Sequence, residues 1–177
     1  MTIHTEHPFR DPSADPARRL RGRLGGAVTL WTSGDSTDGG TRAGLTVSSV
    51  MVAGGEPGRL LALVDPDSSL RDVLESTGRG VVHLLRWGHR DLAEVFAGQM
   101  PSPGGQFATD EWEQTPSGPR LSSALTWATV EAECFEPVGW SDLVTARIVD
   151  AVIGADDEPL EHRRGRYLRP SDGGGHA

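Results

Sequence analysis

The sequence predicts a mainly β domain, a β-barrel that carries only short helices. Three observations lead there. At least six segments are rich in β-branched or continuous apolar residues, helical periodicity is confined to two or three short stretches, and strands do not alternate regularly with helices as a doubly wound sheet requires. At about 150 residues per domain, the 177-residue chain holds one domain.

Met1 to Pro16 is polar, holds three prolines and shows no apolar period, so it reads as a flexible arm. The domain is expected over residues 17–169, followed by a Gly-rich flexible tail over 170–177. Within Pro16 to Leu24, leucines four apart among arginines predict a short surface helix whose basic face is solvated. Ala27 to Thr32 reads as a strand, then a turn-prone stretch from Ser33 to Gly40. Arg42 to Val52 continues in β-favouring residues. Leu60 to Val64 is a continuous apolar run, the pattern of a strand buried on both faces.

The Asp65-Pro66-Asp67-Ser68-Ser69 turn ends that strand and opens a helix with Leu70, Val73 and Leu74 on one face and Gly78 at its close. Val81 to Leu85 is a further buried strand, and Asp91 to Ala97 a short helix presenting Leu92, Val95 and Phe96. Gln99 to Pro119, with four prolines, is too long for an ordinary connection and reads as a lid or a partner-covered loop. Leu125 to Val138, Leu143 to Ile153 and Arg166 to Leu168 complete the strands.

All 17 basic residues are arginine, against 25 acidic residues, for a formal charge of −8; lysine and asparagine are absent. Schiff-base catalysis, pyridoxal phosphate anchoring and the Gly-Lys-Ser/Thr phosphate loop all need lysine, so none is available. The acidic total argues against nucleic acid and anionic membrane as partners. With one cysteine, Cys134, no internal disulfide forms, and with no leader and no apolar run of about 18 residues the expected location is the cytoplasm. Cys134 itself falls in an apolar strand pattern and reads as a buried, inert thiol.

Chemistry-bearing groups are sparse. His83 and His89 have no cysteine or paired carboxylate at a ligand spacing, so no metal site is expected. Ser48, His83 and Asp65 lack the Gly-x-Ser-x-Gly context of a hydrolytic nucleophile. The five tryptophans read as core or interface residues, one of which could cover a flat ligand. More informative are Thr46-Val47-Ser48-Ser49 at a strand end and Ser68-Ser69 at a helix start, because hydroxyls beside unpaired N–H groups suit an anion.

The order of these segments carries a resemblance. Gly26 to Thr32, Gly44 to Ser49, Leu61 to Asp65 with Ser68-Ser69, Ser76 to Leu85, Leu92 to Gly98, Phe107, Trp112, Gly118-Pro119, Ala124 to Trp127 with Glu133-Cys134, and Arg163 to Tyr167 follow in series over about residues 20 to 169. This series resembles the flavin reductase-like domains of the FMN-binding split-barrel family. The resemblance implies a six-stranded split barrel, a homodimer, and a flavin (FMN or FAD) held near the subunit interface. It also implies NADH or NADPH as electron donor and a separate monooxygenase as a possible recipient of reduced flavin.

Carried over position by position, Leu45, Thr46, Val47, Ser48 and Ser49 would line the flavin ring and chain. Asp65, Ser68 and Ser69 would hold the phosphate end, and His83 with Leu84 would border the ring. His162, Arg163, Arg164 and Tyr167 would form the nicotinamide side, with His162 and Arg163 the candidates for orienting the donor; the competing reading of Glu161 to Arg164 is a solvated charged turn. No catalytic residue is assigned. Members of the family commonly carry histidine just before the Arg-Gly-x-Tyr ending, where this chain has Arg163, and side chains of adjacent strand residues face opposite ways, so His162 cannot take that place without a register slip. Similarly, Asp142-Leu143 stands where relatives often have Asp-His, and His83 where they have asparagine. Those departures keep a second reading open, a flavin-binding protein without reductase turnover, and a third, a cofactor-free dimeric scaffold. Lacking lysine and asparagine, a phosphate here would rely on hydroxyls, backbone N–H groups and arginine, with Arg42, Arg71 and Arg90 nearest in sequence.

Overall fold

The computed structural model describes residues 16–35, 40–155 and 158–169; apart from Pro16, the expected arm and the expected tail lie outside the described residues. Proline, with φ preset for a helix and no N–H to lose, opens α1 (Pro16–Leu24), the short helix expected over those residues. Its leucines pack on no core: Leu20 and Leu24 are both exposed.

After β1 (Gly26–Ala27) come β2 (Thr29–Gly34), β3 (Arg42–Val47), β4 (Val50–Ala53), β5 (Arg59–Val64) and β6 (Arg79–Leu84). A long hairpin of β9 (Trp127–Val138) and β10 (Ser141–Val152) completes an antiparallel seven-stranded sheet in the order β3-β2-β6-β9-β10-β5-β4. The two edge strands, β3 and β4, are consecutive in the chain and separated only by Ser48 and Ser49. A sheet whose opposite edges are two residues apart must curl until they meet, and the N–H of Leu63 donating to the carbonyl of Ser49 (3.0 Å) carries the β4–β5 pairing up to that corner. Counted as one bent strand, β3 and β4 leave the six-stranded barrel that the sequence predicts.

The barrel interior is filled by Trp31, Val47, Leu60, Ala62, Val64, Val82, Val130 and Val144, with Leu70 and Leu74 of α2 (Ser69–Thr77) packed among them. α2 starts and stops as expected. The Ser68 hydroxyl accepts the N–H of Arg71, and Gly78, at φ 67°, donates its N–H to the Leu74 carbonyl. On the other face of β2, Leu30 and Val28 join Leu85, Leu92, Val95 and Phe96 of α3 (Arg90–Phe96) in a second cluster. Gly44 makes that packing possible, since a Cβ there would lie 2.5 Å from Phe96 Cε1.

The Gln99 to Pro119 segment is not a lid. It forms a 3-10 turn (Gln106–Ala108), β7 (Trp112–Thr115) and the start of β8 (Gly118–Leu121). Phe107 and Trp112 stack edge-on against Phe96 and against each other. Its length is therefore absorbed by a hairpin and an aromatic cluster that cover the second core.

Two other expectations change. β5 is buried on one face only: Leu60, Ala62 and Val64 point inward while Leu61 and Leu63 face outward, half-buried and exposed respectively. Cys134 is exposed rather than buried. Along β9 and β10 the pairing runs Cys134 with Thr145 but Ala132 with Ala146, so Glu133 is an extra residue in the ladder. That bulge flips the inward-outward alternation beyond it, and Phe135 instead of Cys134 packs on the barrel core. The chain ends in a three-stranded ribbon in which β1 pairs with β11 (Glu161–Arg163) and β11 with β12 (Arg166–Leu168). Among the described residues no helix is long and apolar enough to cross a membrane.

Candidate functional site

The barrel join and the terminal ribbon together shape one open cleft of about 1390 Å³. Its floor comes from the join. Ser48 and Ser49 sit where the edge strands meet, Leu45 and Thr46 precede them, and Val50 and Met51 follow. Thr46 donates its hydroxyl to the Ala93 carbonyl (2.8 Å), tying this corner to α3. The outward face of β5 adds Leu61 and Leu63, and Leu143, the register partner of Leu63 on β10, extends the same strip. Leaving leucines uncovered costs hydrophobic free energy, about 25 cal/mol per Å² of apolar surface, so this strip is a surface that gains by being covered.

The opposite wall is the β11–β12 hairpin. Arg163 pairs with Arg166, leaving Arg164 and Gly165 as a two-residue turn with φ of 53° and 74°. Both positive values mark the tight turn whose twist matches paired strands. That register decides which side chains face the cleft. His162 and Tyr167 are cross-strand partners and line it, whereas Arg163 turns away and donates from Nε to the Arg23 carbonyl (3.3 Å). His162 is thus the histidine of the cleft, one position earlier than the family register suggests, and it is half-buried instead of part of a solvated turn.

Burial, with the nearby Arg21 guanidinium, holds the His162 imidazole below its ordinary value, so it is neutral at pH 7; the Glu94 carboxylate pulls the other way. Burial together with Glu94 pushes the Tyr167 phenol up to about 12, which keeps it a neutral hydrogen-bonding group. The rim is basic: Arg19, Arg21 and Arg23 from α1 and Arg164 and Arg166 from the hairpin line the cleft, against the single carboxylate Glu94.

The remaining sequence-derived positions lie elsewhere. Val47 points into the barrel core. Asp65, Ser68 and Ser69 follow β5 directly but line no part of this cleft; Asp65 Oδ1 accepts the N–H of Asp67, and the Ser68 hydroxyl donates to the Asp65 carbonyl while capping α2. Leu84 is half-buried away from the cleft, its N–H donating to Thr126. His83 is fully buried. Its Nδ1–H donates to the Leu30 carbonyl (2.9 Å) and its Nε2 accepts the Leu121 N–H (3.0 Å), and desolvation first of all lowers its pKa to about 4. It is a neutral core residue that stitches β6 to β2 and β8.

None of the tryptophans lines the cleft. Arg71 is engaged with Asp142 and Glu75, Arg90 with Asp91, and Arg42 lies over the Phe107 ring. The arginines that do reach the cleft belong to α1 and the hairpin, far from the flavin segments in sequence. Their signal was present in the alternation of arginine with leucine and glycine along α1, which reads equally well as a solvated face. Among the described residues no group of three or more His, Cys, Asp or Glu side chains could hold a metal ion.

Both the sequence and the fold have counterparts among known proteins. The family model for the flavin reductase-like domain matches residues 21–171. FMN reductase (NADH) RutF of Ancylobacter novellus is 32% identical over 160 residues, covering 88% of this chain and 84% of that protein. Among solved structures, the Streptomyces globisporus NADH:FAD oxidoreductase SgcE6 with NAD and FAD fragments aligns over 98% of this chain and 100% of its own, at 20% identity and a TM-score of 0.80. A homologue of nitrilotriacetate monooxygenase component B from Mycobacterium thermoresistibile aligns over 91% of this chain and 88% of its own, at 19% identity and a TM-score of 0.79. With the family model spanning nearly the whole barrel and its terminal ribbon, this chain belongs to the flavin reductase-like domain family.

Proposed function

We propose that this chain is an NADH- or NADPH-dependent flavin reductase acting on FMN or FAD, in a single domain over residues 17–169. The observation that carries the reading is the meeting, in one cleft, of an apolar strip, free serine hydroxyls and a basic rim, with His162 and Tyr167 facing them. A flavin is a flat, largely apolar ring on a hydroxyl-bearing chain, and the strip and the serines match those two parts. The named relative that shares 32% identity is an NADH-dependent FMN reductase, which supports the same electron donor here.

Leu61, Leu63 and Leu143 would lie against the ring and exclude water from it, while Leu45, Thr46, Ser48 and Ser49 would border its edge and chain. The hydroxyls of Ser48 and Ser49 make no hydrogen bond among the described residues and are available to a ligand. Ser68 and Ser69, immediately beyond β5, would receive the phosphate end, with Asp65 shaping that turn. When bound, flavin accepts hydride from the reduced nicotinamide, so the protein supplies no nucleophile. Its task is to hold the two rings face to face and to balance charge, for which neutral His162 and Tyr167 orient the donor and the arginines offset negative charge.

Leu143 favours one alternative. A leucine lines the wall where relatives often place histidine, and a chain that binds flavin without turning it over would keep the strip and lose a polar group at this point. A difference spectrum near 450 nm on adding FMN or FAD, paired with NADH and NADPH oxidation, separates the two. Binding with oxidation supports the reductase; binding without it leaves the alternative; neither overturns both.

A homodimer belongs to the same reading. The exposed Leu20, Leu24, Met51 and Val52 lie on α1 and β4, beside the cleft, and a second copy would cover them and help enclose the flavin. A sedimentation coefficient of a monomer at micromolar concentration would contradict it. The cytoplasm is the proposed location, and a separate monooxygenase the proposed recipient of reduced flavin, as the nitrilotriacetate system suggests.

A further inference from the structure

Three carboxylates among the described residues are shielded from solvent, and two of them are paired: Asp142 with Arg71 and Glu131 with Arg147. The third, Glu94, is half-buried, yet among the described residues its side chain makes no hydrogen bond and no ion pair. It is also the one carboxylate lining the cleft, which it shares with Arg19, Arg21, Arg23, Arg164 and Arg166, and none of the five bonds it. Shielding a carboxylate without bonding it costs free energy that the fold does not recover from any contact of its own. Its oxygens are left to whatever enters the cleft.

Local preference does not explain the residue either. Glu94 sits in the last turn of α3, where the negative end of the helix dipole disfavours an anion. Its placement is firm: the Ala93 carbonyl accepts the Thr46 hydroxyl (2.8 Å), and the Glu94 carbonyl accepts the N–H groups of Gln99 (2.9 Å) and Met100 (3.2 Å). Leu92, Ala93, Val95 and Phe96 are all buried against the second core, so position 94 is the side of this turn left to the cleft. His162 and Tyr167 line the same cleft and feel the carboxylate. Its charge opposes the lowering of the imidazole by burial and Arg21, and it adds to the raising of the phenol by burial. Those two rings border the place proposed above for the nicotinamide donor.

We infer that Glu94 is a catalytic residue of the donor side, whose carboxylate faces the nicotinamide ring and stabilises the positive charge that the ring acquires as it gives up hydride. The inference rests on the flavin reductase reading of the cleft. In that reaction the transferable C–H bond of the dihydronicotinamide breaks and its hydrogen leaves with both bonding electrons for the flavin. The donor, oxidised by two electrons, is left as a pyridinium cation; the flavin is reduced by the same two electrons and takes its accompanying proton from solvent. A fixed group of opposite sign lowers a barrier when it meets charge that appears only as the bond breaks, because it then binds the transition state better than the ground state. Glu94 alone among the cleft residues can meet a cation in this way, since the other charged groups are arginines and His162 and Tyr167 are neutral.

NAD+ and NADH differ only at that ring, so titrating the flavin-free full chain with each reads the carboxylate without turnover. Glu94→Gln, which keeps the shape and removes the charge, should weaken NAD+ about fivefold or more relative to NADH. In stopped-flow single turnovers with FMN the same variant should slow hydride transfer about tenfold while the KM for NADH stays within about twofold. Glu94→Asp should recover part of both losses. The urea midpoint of the glutamine variant should equal or exceed the parent's, because an unpaired anion leaves the end of a helix. An NAD+ to NADH affinity ratio unchanged by the glutamine substitution, hydride transfer at the parent's rate, or a lowered urea midpoint that aspartate restores would overturn the inference, the last by making Glu94 a structural residue. A parent that oxidises NADH with FMN alongside any of these results loses only the role of Glu94. A parent that binds neither nucleotide and oxidises neither NADH nor NADPH with FMN or FAD removes the reductase reading, and the inference with it.

Discussion

His162 and Tyr167 face each other across the β11–β12 hairpin, their ring centroids 5.7 Å apart and their planes at 70°, on the side that lines the cleft. The relationship follows from a two-residue turn: with Arg164 and Gly165 as the loop, position 162 must oppose 167 and position 163 must point away. The imidazole is therefore held beside a phenol and within the field of Arg21, and its protonated form is disfavoured by burial and by that arginine. In an NMR titration His162 should titrate below 6.5, and Arg21→Gln should raise its midpoint; a midpoint above 6.5 would contradict the placement.

The fully buried His83 sets an acid limit on stability. His83 presents Nδ1–H to one carbonyl and a bare Nε2 to a backbone N–H, so a second proton would point at the Leu121 N–H. Its folded pKa, lowered to about 4, lies below the unfolded value near 6.5. Between those two pH values the unfolded chain takes up a proton that the folded chain refuses. Stability is thus fully present above pH 6.5 and falls as pH drops toward 4, by about 3 kcal/mol in total from this group. Urea denaturation across pH 4 to 8 measures it. His83→Gln should lower stability at pH 7.5 and flatten the acid slope.

At the hairpin turn, Arg164 holds φ at 53°, a region in which side chains cost energy and branched ones most. Arg164→Gly should leave the melting temperature unchanged or raised, since relief of that cost offsets the entropy of glycine. Arg164→Val should destabilise by about 1–2 kcal/mol. Thermal melts of the pair test the turn geometry independently of any ligand.

The two serines at the start of α2 divide structural from binding roles. Ser68 caps the helix and Ser69 does not. Ser68→Ala should cost about 1 kcal/mol of stability. Ser69→Ala should leave stability within about 0.5 kcal/mol while weakening FMN more than riboflavin, since only FMN carries the phosphate. An equal loss for both flavins would place the phosphate elsewhere.

Leu63 is a leucine that the barrel does not use, with 36% of its surface exposed on the outer face of β5. Leu63→Gln should change stability by less than about 1 kcal/mol but lower riboflavin affinity by about tenfold, because the ring would lose apolar area. Fluorescence titration beside a urea melt reports both quantities. Unchanged affinity would mean that the ring does not lie on this strip.

Much of the fold was legible in the sequence, for reasons visible residue by residue. Local signals were enough for α2, where the Ser68 cap, the apolar spacing of Leu70 and Leu74 and the αL glycine at 78 all point the same way, and for the β-rich segments that became β2, β3, β6, β9, β10 and β12. The errors arose where a local pattern has two outcomes. Leu60 to Val64 reads as buried on both faces because apolarity does not say whether protein or ligand will cover Leu61 and Leu63. Cys134 reads as buried because alternation assumes an unbroken ladder, and the extra Glu133 breaks it.

By itself the sequence determined the kind of protein: the strand-rich order of segments, the helix boundaries, the absence of lysine chemistry and the resemblance to flavin reductase-like domains. The tertiary structure alone decided which side chains share a cleft. Ser48 and Leu63 meet because the two edges of one sheet close on each other, and His162 rather than Arg163 faces the site because side-chain direction depends on register across a hairpin. The arginines of α1 become a rim only when hydrogen bonds from residues some 140 positions away, Arg163 and Arg164, dock that helix beside the barrel. Contacts between distant segments depend on closure and register, which no local run of residues encodes.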